Sequence, residues 1–351
     1  MWARPSSPGP FGTRLRGSSM KNVVVGGGLV GCAVALELAR RGEDVLCLER
    51  AVPGAEASSA AGGILSPRVE AHGDLAARTL GIASLDMYEA WVDSLAADVG
   101  FRRCGVLVLK SESPDEDAAP VAGSAIAAIA PGLVARSAWW LPDEGMLDTR
   151  RLVGAVRDAA SRAGVEFRSG RTVVTVDADG VGLEDGERFQ GRVAVCAGAW
   201  TASVGGLDGL PVRPVRGQLV ALADTSVTNA VVFGPNGYLV PREDELVVGA
   251  TMEEVGFARG VTAGGVRQVL DHAFQLAPGL AGTELLRAWS SFRPGSPDGN
   301  PLVGRVRGAW LASGHFRNGI LLAPLTARRL VAAMLDGDPL PSTWSPERFG
   351  G

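Results

Sequence analysis

The sequence predicts a mixed α/β fold, a doubly wound parallel sheet carrying an inserted antiparallel one, on three observations. The first is the run Val23-Val24-Val25-Gly26-Gly27-Gly28-Leu29-Val30-Gly31-Cys32. It reads as a buried strand, a Gly-x-Gly-x-x-Gly turn and the start of a helix over 33–41, the Rossmann-like arrangement for a dinucleotide. The second is the continuous apolar run Val193-Ala194-Val195-Cys196-Ala197, which stops at Gly198-Ala199-Trp200. Such a run reads as a buried parallel strand whose C-terminal end faces a crevice. The third is a change of character over 211–252, where segments 217–223, 238–241 and 245–252 read as strands. The last two form a hairpin about Glu243-Asp244, as expected of an antiparallel sheet.

Taken in order, residues 1–19 are rich in Pro, Gly, Ser and Arg and lack the apolar core of a signal peptide, so they read as a disordered extension before the first strand. Gly26 permits the tight turn, Gly28 lets backbone approach a pyrophosphate, and Gly31 lets helix and strand pack closely. The helix N-terminus offers N–H groups and positive dipole to phosphates. Asp44–Glu49 reads as a second strand ending in an acid, where a ribose hydroxyl is received. The small-residue loop Glu56-Ala57-Ser58-Ser59-Ala60-Ala61-Gly62-Gly63 offers hydroxyls and unhindered N–H groups. Residues 74–98 read as helical, 104–109 as a strand, and 112–136 as loop and short helix. Asp148 is suited to cap a helix ending before Gly164. Short strands follow at 165–167 and 171–176. A helix with a loop is expected over 256–279, and glycine-punctuated short strands after Trp289. A strand at 309–313 leads into Gly314-His315-Phe316-Arg317-Asn318-Gly319, which opens a helix over 320–335. Both ends of the chain thus build one nucleotide site, with the inserted sheet between them.

Bulk properties narrow the function. At 351 residues and 46% hydrophobic content the chain can bury a large core, and it suggests two domains or one with an insert. No apolar stretch nears the ~20 residues of a membrane helix. A net charge of −4 and a pI near 5.6 argue against a nucleic-acid surface. Cys32, Cys47, Cys104 and Cys196 lack metal spacing and read as buried thiols of a reducing compartment. With three histidines, His72, His272 and His315, a zinc site or a Ser/His/Asp triad is poorly supported. Lacking a targeting segment, the chain is placed in the cytoplasm; its oligomeric state is left open.

The Gly26-x-Gly28-x-x-Gly31 turn with Glu49, the loop Ser58-Ser59-Ala60-Ala61-Gly62-Gly63, the segment Phe292–Gly299 and the stretch Gly314–Pro324 together resemble the D-amino-acid oxidase superfamily of FAD-dependent amine oxidases. Within it the resemblance is to the bacterial glycine oxidases of thiamine biosynthesis, over about residues 21–337. It implies non-covalent FAD, the C-terminal part having no cysteine where covalent relatives attach their flavin. It also implies an FAD-binding domain of 20–75, 145–210 and 290–340, and a substrate domain of 76–144 and 211–289. By position, Leu29 and Val30 touch the pyrophosphate turn, Glu49 and Arg50 the adenosine end, and Ser58, with Ser59 beside it, the phosphates. Gly62, Gly63 and Ile64 lie near the isoalloxazine and Val173 offers a backbone contact to adenine. Gly198 faces the cofactor crevice, and Gly314, His315, Phe316, Arg317, Asn318, Gly319, Ile320 and Leu321 wrap the flavin's far edge. Arg293 matches the carboxylate-binding arginine and Tyr238 the substrate-side tyrosine, with Met252 and Arg317 also at the substrate. Asn236 stands where a histidine is usual and Ile64 where a methionine is; both line the substrate space.

The implied reaction is oxidative deamination of glycine, sarcosine and small D-amino acids to the 2-oxo acid, ammonia or amine, and hydrogen peroxide. Arg293 supplies a planar fork matched to a carboxylate; its plainer alternative is an ion pair with Asp298. Arg317 could stabilise anionic reduced flavin or serve structure. No acid–base pair stands out, consistent with direct hydride transfer from a neutral amine. The competing readings are a flavin dehydrogenase feeding a carrier or quinone, a tRNA-modifying relative, a flavin protein without catalysis, and an NAD-dependent dehydrogenase, which leaves the Arg317 loop unexplained.

Overall fold

Residues 21–223 and 226–349 are described by the computed structural model, and the extension expected over 1–19 lies outside them. The apolar runs assemble into a six-stranded sheet in the order Leu302–Val306, Ala309–Ser313, Arg192–Val195, Asn22–Val25, Val45–Glu49, Glu166–Ser169. Every pairing is parallel except that of Leu302–Val306 with Ala309–Ser313. Helices Leu29–Arg40, Thr149–Arg162 and Gly319–Asp336 cover one face, burying Leu36, Leu38, Val156, Leu330 and Val331. Asp148 caps its helix as expected, its carboxylate accepting from the Arg150 and Arg151 N–H groups. A small antiparallel sheet, Val173–Val176, Gly180–Leu183 and Arg188–Gln190, covers the other face in place of helices.

The second sheet has eight strands, in the order Leu285–Gly295, Arg213–Leu222, Leu246–Gly249, Gly237–Pro241, Val231–Gly234, Val106–Val108, Ser137–Leu141, Ala119–Ala122. It is antiparallel except where Val231–Gly234 meets Val106–Val108. Period-two alternation sorts its side chains. Val220, Leu239 and Val248 pack under the helix Ala263–Leu276, while Leu219, Tyr238, Val240 and Val247 face the first domain.

Two segments differ from the sequence reading. The chain after Trp289 is part of one long strand, Leu285–Gly295, paired along its length with Arg213–Leu222. It lies at the sheet edge, the position that tolerates Pro294. The stretch 112–136 contains an exposed edge strand, Ala119–Ala122, besides the short helix Ser124–Ile129. Sheet membership therefore changes after Gly295, which leaves Arg293 on the eight-stranded sheet. Helices Leu75–Asp86 and Tyr88–Asp93 share the core of the first sheet through Leu85, Tyr88 and Val92.

Candidate active site

A cavity of about 340 Å³ separates the C-terminal ends of the parallel strands from the inward face of the eight-stranded sheet. Its back wall is the glycine turn. Gly26 has φ +103°, and a Cβ there would lie 2.5 Å from the Cys196 carbonyl oxygen. A Cβ on Gly31 would lie 1.9 Å from the Gly26 oxygen, so Gly31 works by close packing and does not itself line the cavity. Ser58 Oγ accepts from the Leu29 N–H at 2.9 Å, serving the N-terminus of a helix whose cap, Gly28, has no side chain. Glu49 Oε2 accepts from the Gly27 N–H at 2.8 Å, which fixes the acid beside the turn. Arg50 lies 3.7 Å over the Trp200 ring and pairs with Glu56 at 2.8 Å, while Val173 and Gly198 complete this end.

The other end holds the charged groups. Arg293 extends across its neighbouring strand into space left by Gly217, where a Cβ would lie 2.3 Å from Arg293 Nη1. Its Nη1 donates to the Thr251 carbonyl at 3.2 Å. Burial holds its pKa below the usual value, with Tyr238 opposing, yet a guanidinium stays charged at neutral pH. Tyr238 sits beside it, its phenol pKa raised by burial and lowered in part by Arg293. Gly62 and Gly249 leave room for the Tyr238 ring. Arg317 makes a two-point pair with Glu70, at 2.6 and 2.8 Å. Burial lowers the Arg317 pKa, but Glu70 outweighs that and the net shift is upward. His315 is buried and its pKa is pushed down to about 4 by that burial; its Nε2 lies 3.1 Å from Thr326 Oγ1.

Charge pairing sorts the arginines that line the cavity. Arg50 pairs with Glu56, Arg171 with Asp185 and Arg317 with Glu70. Arg293 has no carboxylate partner among the described residues. Asp298, its alternative partner, is taken by Arg348 at 2.9 Å. The carboxylates on the lining are engaged as well, Glu49 by backbone N–H groups and Glu56 and Glu70 by arginines.

Of the residues expected at the site, Gly26, Gly28, Leu29, Val30, Glu49, Arg50, Ser58, Gly62, Gly63, Ile64, Val173, Gly198, Tyr238, Arg293, His315, Phe316, Arg317, Gly319 and Ile320 line the cavity together. Gly31, Ser59, Gly314, Asn318 and Leu321 stand behind that lining. Asn236 and Met252 are corrected by the structure. The resemblance placed Asn236 at the substrate, but the strand begins at Gly237 and Asn236 is an exposed turn residue outside the lining. Met252 lies beyond the end of Leu246–Gly249 and is 55% exposed. Sequence reasoning missed Glu70, Gly217, Trp200 and Arg242. Trp200 had a signal, as the residue closing the Gly198 turn. Glu70 and Gly217 had none, because their roles exist only through partners more than 70 positions away.

Against known proteins, residues 21–333 match the model of the FAD dependent oxidoreductase family (DAO). The chain belongs to this family of FAD-dependent oxidoreductases. It is 37% identical to the bifunctional protein ThiO/ThiG of Synechocystis sp., over 93% of this chain and 54% of that protein. It thus spans about half the length of that relative and of two others of the same name. It is 32% identical to glycine oxidase of Geobacillus kaustophilus, over 89% of this chain and 92% of that protein. The crystal structure of that glycine oxidase superposes with a TM-score of 0.87 at 30% identity, covering 95% of this chain and 100% of the other. FAD is the cofactor of this oxidoreductase, and the cavity fits it: a side-chain-free turn at a helix N-terminus suits a pyrophosphate, and Glu49 suits a ribose. Among the described residues no helix is long and apolar enough to cross a membrane.

Proposed function

We propose that the chain oxidises glycine, sarcosine and small D-amino acids to the 2-oxo acid, ammonia or amine, and hydrogen peroxide, as a cytoplasmic enzyme in thiamine biosynthesis. One observation carries the reading. Arg293 is the arginine on the cavity lining without a carboxylate partner among the described residues, and it is aimed between the two domains beside Tyr238. An amino acid brings the missing carboxylate, which the planar fork binds at two points. Similarity to glycine oxidase and to ThiO/ThiG supports the substrate class and the pathway.

FAD, when bound, would supply the hydride acceptor and the route for electrons to dioxygen; Gly26, Gly28 and Glu49 would hold it. The protein's part is to bind, orient and dry the reactants. Arg293 anchors the carboxylate and Tyr238 offers its phenol to the same end of the substrate. Ile64 and Phe292 supply apolar wall that keeps water from the reacting carbon. Glu70 is spent on Arg317, and burial holds His315 neutral with a pKa of about 4, so neither is suited to take a proton near neutral pH. The reaction they allow is hydride loss from Cα of an already neutral amine. The imine so formed is hydrolysed in water. A screen of amines scored by peroxide release tests this: glycine, sarcosine and small D-amino acids should exceed bulky ones. Electron flow only to a quinone or dye, with no peroxide in air, would assign a dehydrogenase instead.

A further inference from the structure

Along Ser59–Gly62 the loop carbonyls are held by three side chains from outside the cavity. Thr149 Oγ1 donates toward the Ser59 oxygen at 3.2 Å and the Ala61 oxygen at 3.0 Å. Trp289 Nε1 donates to the Ala60 oxygen at 2.9 Å. Arg242 Nη2 donates to the Ala61 oxygen at 3.1 Å and the Gly62 oxygen at 3.2 Å. In a trans peptide the N–H points opposite to the C=O it is joined to. The N–H groups of Gly62 and Gly63 therefore face away from Arg242. Both glycines line the cavity, and neither N–H has a partner among the described residues.

Arg242 is a costly residue to place here. It belongs to the hairpin between Gly237–Pro241 and Leu246–Gly249, on the sheet that carries Tyr238, and only 4% of its side chain is exposed. Its Nη1 meets Glu245 at 3.2 Å and Asp148 at 3.6 Å, and its Nε has no partner. Arg150 and Arg287 converge on the same Glu245, so three guanidiniums share two carboxylates and the cluster stays positive. A buried cation of this kind is destabilising unless the groups it holds repay it.

We propose that Arg242 is a positioning residue for the cofactor: it reaches from the substrate sheet to turn the Ala61 and Gly62 carbonyls outward, and so presents the Gly62 and Gly63 N–H groups to the isoalloxazine with a positive charge behind them. Fixed N–H dipoles and a nearby cation stabilise negative charge on the reduced ring, so Arg242 raises the electron affinity of the flavin without touching it. The proposal rests on the reading that Gly62–Ile64 lie against the isoalloxazine.

The test is the two-electron reduction of the holoprotein by dithionite against a reference dye, without air or amine. Arg242→Met should keep FAD bound and shift the oxidised-to-reduced equilibrium at least tenfold toward oxidised flavin, a potential lower by about 30 mV. Arg242→Lys keeps the charge without the fork and should fall between Met and the native residue. An Arg242→Met potential equal to the native one overturns the proposal, even if the variant melts earlier. If Arg242→Met yields no folded holoprotein, Thr149→Val decides. It removes the other side-chain donor to the Ala61 oxygen and should lower the potential; a native potential overturns the proposal. Because dithionite is the reductant, the substrate reading stands or falls separately, on amine turnover.

Discussion

Arg293 is an arginine within an apolar-walled cavity whose expected neighbour, Asp298, is engaged elsewhere by Arg348. Replacing it with Ala should leave FAD bound and lower kcat/KM for glycine. Loss of a charge-assisted pair to a buried carboxylate costs on the order of 2–5 kcal/mol, or roughly 30- to several-thousand-fold. Much of the loss should appear in KM, since the carboxylate is held in ground and transition states alike. Steady-state kinetics check this, with Arg293→Lys recovering little because a point charge cannot reproduce the fork. Near-native kinetics in Arg293→Ala would reassign it to structure. His315 yields a pH prediction. Its folded pKa of about 4 lies below the ordinary 6.5, so the unfolded chain binds the extra proton. Its contribution to stability is complete above about pH 6.5 and falls away toward pH 4, by up to about 3 kcal/mol. Denaturant unfolding at fixed FAD should show His315→Gln with a shallower loss across that window; an unchanged slope would place the acid sensitivity elsewhere.

At the scale of elements, two paired strands build the Arg293 end of the cavity together. Gly217 on Arg213–Leu222 exists, in effect, for the side chain of Arg293 on Leu285–Gly295. Gly217→Ala would put a Cβ 2.3 Å from Arg293 Nη1 and push the guanidinium aside. Displacement of a clamp by an ångström costs about 10²-fold, so KM for glycine should rise by one to two orders while FAD affinity holds. Fluorescence titration of FAD beside the kinetics separates the two; weakened FAD binding with native KM would contradict it. The βαβ opening and the Asp148 cap were legible because their signals are local: an apolar run, a glycine spacing, an acid before a periodic segment. The long strand Leu285–Gly295 was not, because Ser290, Ser291, Arg293 and Pro294 break alternation and their burial depends on a partner strand some 75 positions earlier. Asn236 was placed by resemblance alone, and no local signal showed that the strand starts only at Gly237 and leaves Asn236 in the turn before it.

For the whole molecule, the two sheets make one site only because the chain returns twice to the first domain. Residues 21–65, 148–200 and 302–320 supply its wall on the parallel-sheet side, and 213–295 the other. The motifs at the glycine turn, at Gly198 and at 314–319 were readable because they are local, whereas the course of Leu285–Gly295 across the expected boundary at 290 and the pairing across the cavity, Glu70 with Arg317 and Arg242 with the Ala61–Gly62 loop, depend on packing that spacing does not encode. With no cysteine beyond Cys196, FAD should be recovered in the supernatant when the yellow protein is denatured; colour left on the precipitate would mean a covalent link. The most direct measurement is anaerobic mixing of the holoprotein with glycine or sarcosine while following the visible absorption of the flavin. Bleaching by these small amino acids, with colour and stoichiometric hydrogen peroxide returning when air is admitted, is the predicted result. Full retention of colour with every amine, in a protein shown to hold FAD, would contradict it.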